Sequence, residues 1–129
     1  MQSQQTVRKN YIFEGKGLHT GRYARMTVCP APEDTGIVFR RTDLGEDALV
    51  PALAENVSNT ARSTTISSGN TSVSTIEHIL SALTGMGVDN AYIDIDNVEV
   101  PILDGSAKPY IDAIWKDGFL QQDAPRRYI

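Results

Sequence analysis

Cysteine is almost missing: the 129 residues include one, Cys29, and only two histidines, His19 and His78. A lone cysteine excludes an internal disulfide framework and a cysteine-based zinc cluster. Positive charge is not in excess either, since 12 Lys and Arg stand against 16 Asp and Glu, for a net charge of -4. With a pI near 5.0 and no basic stripe, nucleic acid and anionic membrane surfaces are not expected partners. No apolar run approaches the roughly 20 residues that a membrane span needs. The opening Met1-Gln2-Ser3-Gln4-Gln5 lacks the basic-then-apolar layout of a secretory signal, so a cytoplasmic location is expected. Repeats and low-complexity segments are absent too. Hydrophobic residues at 40% and charged residues at 22% make an ordinary globular composition. One domain over residues 1–129 is expected, long enough to bury a core and too short for two.

The first half reads as short strands between Gly- and Pro-bearing turns. Thr6 to Phe13 is β-prone, and Ala24, Met26 and Val28 alternate with Arg25, Thr27 and Cys29 as a half-buried strand. Ile37-Val38-Phe39 follows as a third, with Val50 to Val57 and Ser63 to Ile66 as further candidates. Then the period changes. Ile76, Ile79, Leu80 and Leu83 fall on one face of a helix, with Ser74 and Glu77 spaced as a capping box and Gly85 placed to end it. Ala91, Ile93 and Ile95 alternate with Tyr92, Asp94 and Asp96 as a strand with one wet face. A second helix is expected from Ser106, with Pro109 in its first turn, Tyr110, Ile111, Ile114 and Trp115 buried, and Gly118 as its stop. The pattern predicts an α+β domain, a mostly antiparallel or mixed sheet with two helices packed on one face. Residues 124–129 read as the start of a linker or strand leading onward.

Chemistry concentrates at Glu77-His78. At about 100° per residue, His78 lies roughly 200° from Ile76, pointing away from the domain's own core. Two readings stand side by side: a solvated histidine beside a capping glutamate, or a metal ligand beside a general base. The short zincin motif is missing, because the position four residues after His78 is Ala82. One histidine does not hold a catalytic zinc, which takes about three protein ligands. Gly15-Lys16-Gly17-Leu18-His19-Thr20-Gly21 is not a dinucleotide fingerprint; it joins two strands, and its His19 faces either solvent or a pocket. Asp104 before the second helix reads as a structural turn carboxylate, Cys29 as a small core residue, and Arg40-Arg41 as a solvated turn.

Six segments taken together resemble one family. They are Gly17-Leu18-His19-Thr20-Gly21, Pro30-Ala31-Pro32 with Thr35-Gly36-Ile37, Arg40-Arg41-Thr42-Asp43-Leu44, Val73-Ser74-Thr75-Ile76-Glu77-His78, Gly87-Val88-Asp89-Asn90 and Pro101-Ile102-Leu103-Asp104-Gly105-Ser106. In order and spacing they look like the N-terminal half of the zinc-dependent UDP-3-O-acyl-N-acetylglucosamine deacetylases of bacterial lipid A biosynthesis. The resemblance implies the first of two similar domains, with the active site between their helical layers. It implies that His78 is the one zinc ligand from this half and Glu77 the general base. The other ligands, in a His-x-x-x-Asp motif, and a further catalytic His belong to the second domain. It also places His19 near the substrate, and Ser63 at a position close to the zinc that is often Cys in the family. The implied partners are the UDP-sugar and the chain's own second domain. Self-association of the isolated chain in place of that domain is a further expectation. The rival reading is a non-catalytic stand-alone binding module, or a paralogue that binds the sugar nucleotide without metal.

Overall fold

The computed structural model describes residues 2–127. The β-prone opening is two strands, β1 (Ser3–Val7) and β2 (Tyr11–Lys16). They are followed by β3 (Tyr23–Pro30), β4 (Ile37–Arg41), β5 (Leu49–Pro51), β6 (Val57–Asn59), β7 (Thr65–Ser68) and β8 (Thr71–Ser74). Helix α1 (Glu77–Met86), β9 (Ala91–Ile95), α2 (Lys108–Ile114) and β10 (Phe119–Pro125) complete the order. The α+β expectation holds, although the strands divide among three sheets: β2-β3-β9-β4-β5, β6-β7-β8 and the pair β1-β10. The β4–β9 pairing is parallel and the other strand pairs are antiparallel.

Alternation builds the core. Met26 pairs with Ile95 and Val28 with Ile93 across the β3–β9 ladder, and all four are fully buried. They share one cluster with Ile79 and Leu83 of α1 and with Tyr110 and Ile114 of α2, so both helices cover one face of the five-stranded sheet. Phe13 meets Tyr110 edge-on with ring centroids 4.7 Å apart, the geometry aromatic quadrupoles favour.

Several local expectations are corrected. Val50 to Val57 is not one strand: the ladder ends at Pro51, a tight turn covers Ala54–Asn56, and the Asn56 side chain donates to the Pro51 carbonyl at 2.8 Å. Trp115 is not buried but 60% exposed. The helix tightens into a 3-10 turn at Trp115–Asp117, which carries the indole off the buried stripe and edge-on to Phe119. The second helix begins at Lys108 rather than Ser106, with Pro109 in its first turn as expected. Gly85 lies inside α1, and the left-handed cap is Gly87 at φ 78°. Arg40 and Arg41 are strand residues, not a solvated turn. Arg40 stacks 4.0 Å over the Tyr92 ring and pairs with Asp94, while the buried Arg41 forks onto Asp43 and donates to the Ser72 carbonyl. Cys29 is buried and Asp104 accepts from the Ser106 N–H and hydroxyl, both as read from sequence. Ala124 and Pro125 close β10, and the Arg126 N–H donates to the Gln2 carbonyl at 2.8 Å. Residues 128 and 129 lie outside the described residues.

Candidate active site

The chain enters α1 through a strained turn. Ser74 is the last residue of β8, its N–H bonded to the Val98 carbonyl. Thr75 then adopts φ 62°, a left-handed conformation that β-branched residues rarely take. Such strain costs on the order of 1–3 kcal/mol and persists where surrounding bonds over-determine it. Here the Thr75 N–H donates to the Thr64 carbonyl at 2.9 Å and its hydroxyl donates to Glu99 Oε2 at 2.6 Å. The turn delivers Glu77 and His78 as the first two residues of α1.

The capping box predicted for this helix does not form. Ser74 is held in the β7–β8 ladder opposite Thr65, and no side chain caps the helix start. The Glu77 Oε1 instead accepts the backbone N–H of Thr64 at 3.2 Å. Glu77 and His78 are both half-buried, whereas the flanking Ile76 and Ile79 are at most 1% exposed. His78 thus sits off the buried stripe, where the helical period puts it. Among the described residues neither the His78 nor the His19 imidazole makes a hydrogen bond, which leaves ring nitrogens available as donors to a metal or ligand.

The glycine loop is anchored by a residue that sequence reading passed over. Glu99 is 1% exposed. Its carboxylate accepts the backbone N–H of Thr20 at 2.8 Å and that of His19 at 3.1 Å, besides the Thr75 hydroxyl. Successive backbone N–H groups wrapping one anion form a nest. Gly17 is obligatory beside it, because a Cβ there would lie 2.7 Å from Glu99 Cδ. In Val98-Glu99-Val100 the glutamate sits where simple alternation places a wet residue, so only the fold reveals its burial.

Burial pushes the Glu99 carboxyl up, but the Thr75 hydroxyl and the Thr20 and His19 N–H donors outweigh it and hold the group below its ordinary value. A carboxyl with a lower pKa folded than unfolded stabilises the fold above about pH 4.3, its unfolded value, and loses that contribution as pH falls through the folded value. Glu99→Gln should therefore destabilise the chain at pH 7 by about the worth of one charged hydrogen bond, 1.5–3 kcal/mol. The gap from the parent should narrow towards acid. Urea midpoints measured from pH 7 downward check this, and a gap that stays constant with pH would contradict it.

Ser63 is half-buried and lines a surface cavity of about 170 Å³ with Asn59, Ala61, Arg62 and Thr65. It adjoins Thr64, the residue that touches Glu77, Thr75 and Ile76. The structure therefore draws Ser63 to the start of α1, next to Glu77 and His78. It ties the backbone of His19 to the same turn through Glu99. No hydrogen bond joins the two imidazoles. Among the described residues no group of three or more His, Cys, Asp and Glu is close enough to hold a metal ion. The donor set fits a zinc shared with ligands from elsewhere, not a self-contained one.

These features define an α+β domain that offers a carboxylate and an adjacent free imidazole from one helix start, beside a carboxylate-anchored glycine loop. The family model of LpxC, UDP-3-O-acyl N-acetylglycosamine deacetylase, matches residues 4–129, and the chain belongs to that family. It is 48% identical to the UDP-3-O-acyl-N-acetylglucosamine deacetylase of Pseudomonas entomophila over 98% of this chain and 42% of that protein. It is 51% identical to the deacetylase of the same name from Geobacter sp. strain M21, over 98% of this chain and 41% of that protein. With the bifunctional enzyme LpxC/FabZ of Porphyromonas gingivalis it shares 48% identity over 99% of its own length and 28% of the relative's. The chain thus spans less than half the length of the curated relatives it matches.

Proposed function

We propose that this chain forms the first domain of a cytoplasmic, zinc-dependent deacetylase that removes the N-acetyl group of UDP-3-O-acyl-N-acetylglucosamine. The observation that carries the reading is the Glu77-His78 pair, launched by the strained Thr75 turn with a free imidazole, in a chain of this family. His78 would hold the metal as one of about three protein ligands, the others coming from the second domain. When bound, zinc polarises the amide carbonyl and makes water acidic enough to act near neutral pH. Glu77 takes the proton from that water. One of its oxygens is steadied by the Thr64 N–H, and Oε2 stays free to accept. The exposed His19 and the half-buried Ser63 line the approach for substrate. Covering this helical face with a second domain excludes bulk water and strengthens each of these interactions.

The full-length protein should release acetate from the UDP-sugar and stop on chelation, while residues 1–129 alone should do neither. Acetate release and bound zinc per chain, measured after dialysis against a mild chelator, read both statements. Sugar-nucleotide binding without acetate release by the full-length protein would favour the non-catalytic module or paralogue instead.

A further inference from the structure

We propose that Glu99 is a positioning residue, its buried carboxylate locking the His19 loop to the Thr75 turn from which Glu77 and His78 start. The inference rests on the deacetylase reading for its effect on rate, but its geometry is independent of it. Glu99 is fixed from two sides. Its backbone pairs with Ser74 in a parallel bridge, the Val100 N–H donating to the Ser74 carbonyl at 3.1 Å. Its carboxylate reaches the other way into the nest of His19 and Thr20 N–H groups. The loop is closed on itself by the Gly17 N–H to the Arg22 carbonyl at 2.9 Å and the Gly21 N–H to the Gly17 carbonyl at 3.1 Å.

The consequence is a rigid loop with outward side chains. While its backbone donors point inward at Glu99, Leu18 is 60% exposed and His19 is exposed beside it. An ordinary buried anchor would stabilise the loop alone. This one also grips the hydroxyl of Thr75, two residues before Glu77, and so couples the two halves of the site through one carboxylate. Misplacing reacting groups by about 1 Å costs up to roughly 10²-fold in rate. Loss of the clamp should therefore appear in kcat as well as in stability.

The test is a double-mutant cycle of Glu99→Gln and His19→Ala in the full-length protein, with amide exchange of His19 and Thr20 followed alongside. Glu99→Gln should lower kcat/KM by about 10–100-fold with zinc content unchanged, and should deprotect both amides. His19→Ala should cost much less in the Glu99→Gln background than in the parent, because the loop has already been released. Additive effects, or a loss confined to thermal stability with kcat and KM intact, would overturn the proposal. If Glu99→Gln does not fold, Thr75→Val and Thr75→Ser carry the test, since both must take the left-handed turn but only serine keeps the hydroxyl. Serine should recover most of the rate that valine loses, and equal rates would count against the clamp. A parent that releases no acetate yet loses His19 and Thr20 protection on Glu99→Gln would refute the deacetylase reading and leave the clamp standing.

Discussion

Replacing His78 with alanine is expected to strip the full-length protein of both zinc and deacetylation. The imidazole makes no hydrogen bond within the described residues and lies off the buried stripe of α1, so its removal breaks no packing. Alanine is also the better helix former, by up to about 0.7 kcal/mol. Metal-free parent and variant should accordingly melt together, or the variant slightly higher. The several kcal/mol that a metal contributes to transition-state charge correspond to about 10³-fold or more in rate. Bound zinc, acetate release and the melting temperature of the metal-free forms are the three readouts. Full zinc occupancy in His78→Ala would show that the metal is held without this residue and would remove the assignment.

What could be read from the sequence follows the reach of each signal. The burial of Met26, Val28, Ile93 and Ile95 was legible because a strand repeats every two residues and one face must be dry. The buried face of α1, Ile76, Ile79 and Leu83, was legible for the same reason at the helical period. Ends were harder. Ser74 and Glu77 have capping-box spacing, but the β7–β8 ladder took Ser74 first, and tertiary pairing won over a local cap. Gly85 and Gly87 are equally plausible stops, and the helix ran on to bury Met86 before turning at the second.

At the site, the Glu77-His78 pair stands out because charged and titratable residues interrupt an apolar helix. What steadies the pair does not show in the sequence. Thr64 reaches Glu77 across 13 positions and Glu99 reaches Thr75 across 24. Neither contact has a periodic signature. Arg41 was misread as solvated for a related reason: its buried guanidinium is satisfied partly by the distant Ser72 carbonyl. Long-range polar bonds carry the site's geometry, and only the fold reveals them.

The role of Glu77 turns on a single atom. Its Oε1 accepts the Thr64 N–H at 3.2 Å, a task for which an amide oxygen serves as well as a carboxylate. Taking a proton from water is different, since a glutamine side chain has no basic oxygen to receive it. Glu77→Gln in the full-length protein should therefore preserve the fold, the melting temperature and the zinc content. Its deacetylation rate should fall by roughly 10²–10⁴-fold, the usual worth of a positioned base. Glu77→Ala separates the roles further: it leaves the Thr64 N–H without its acceptor, costing about 1–3 kcal/mol if water does not replace it, and it should be no more active than glutamine. Rates at saturating substrate, read beside thermal melts and bound zinc, give each contribution its own number. A Glu77→Gln protein that turns over near the parent rate would make Glu77 an anchor for the 63–65 segment, and the proton acceptor would lie elsewhere.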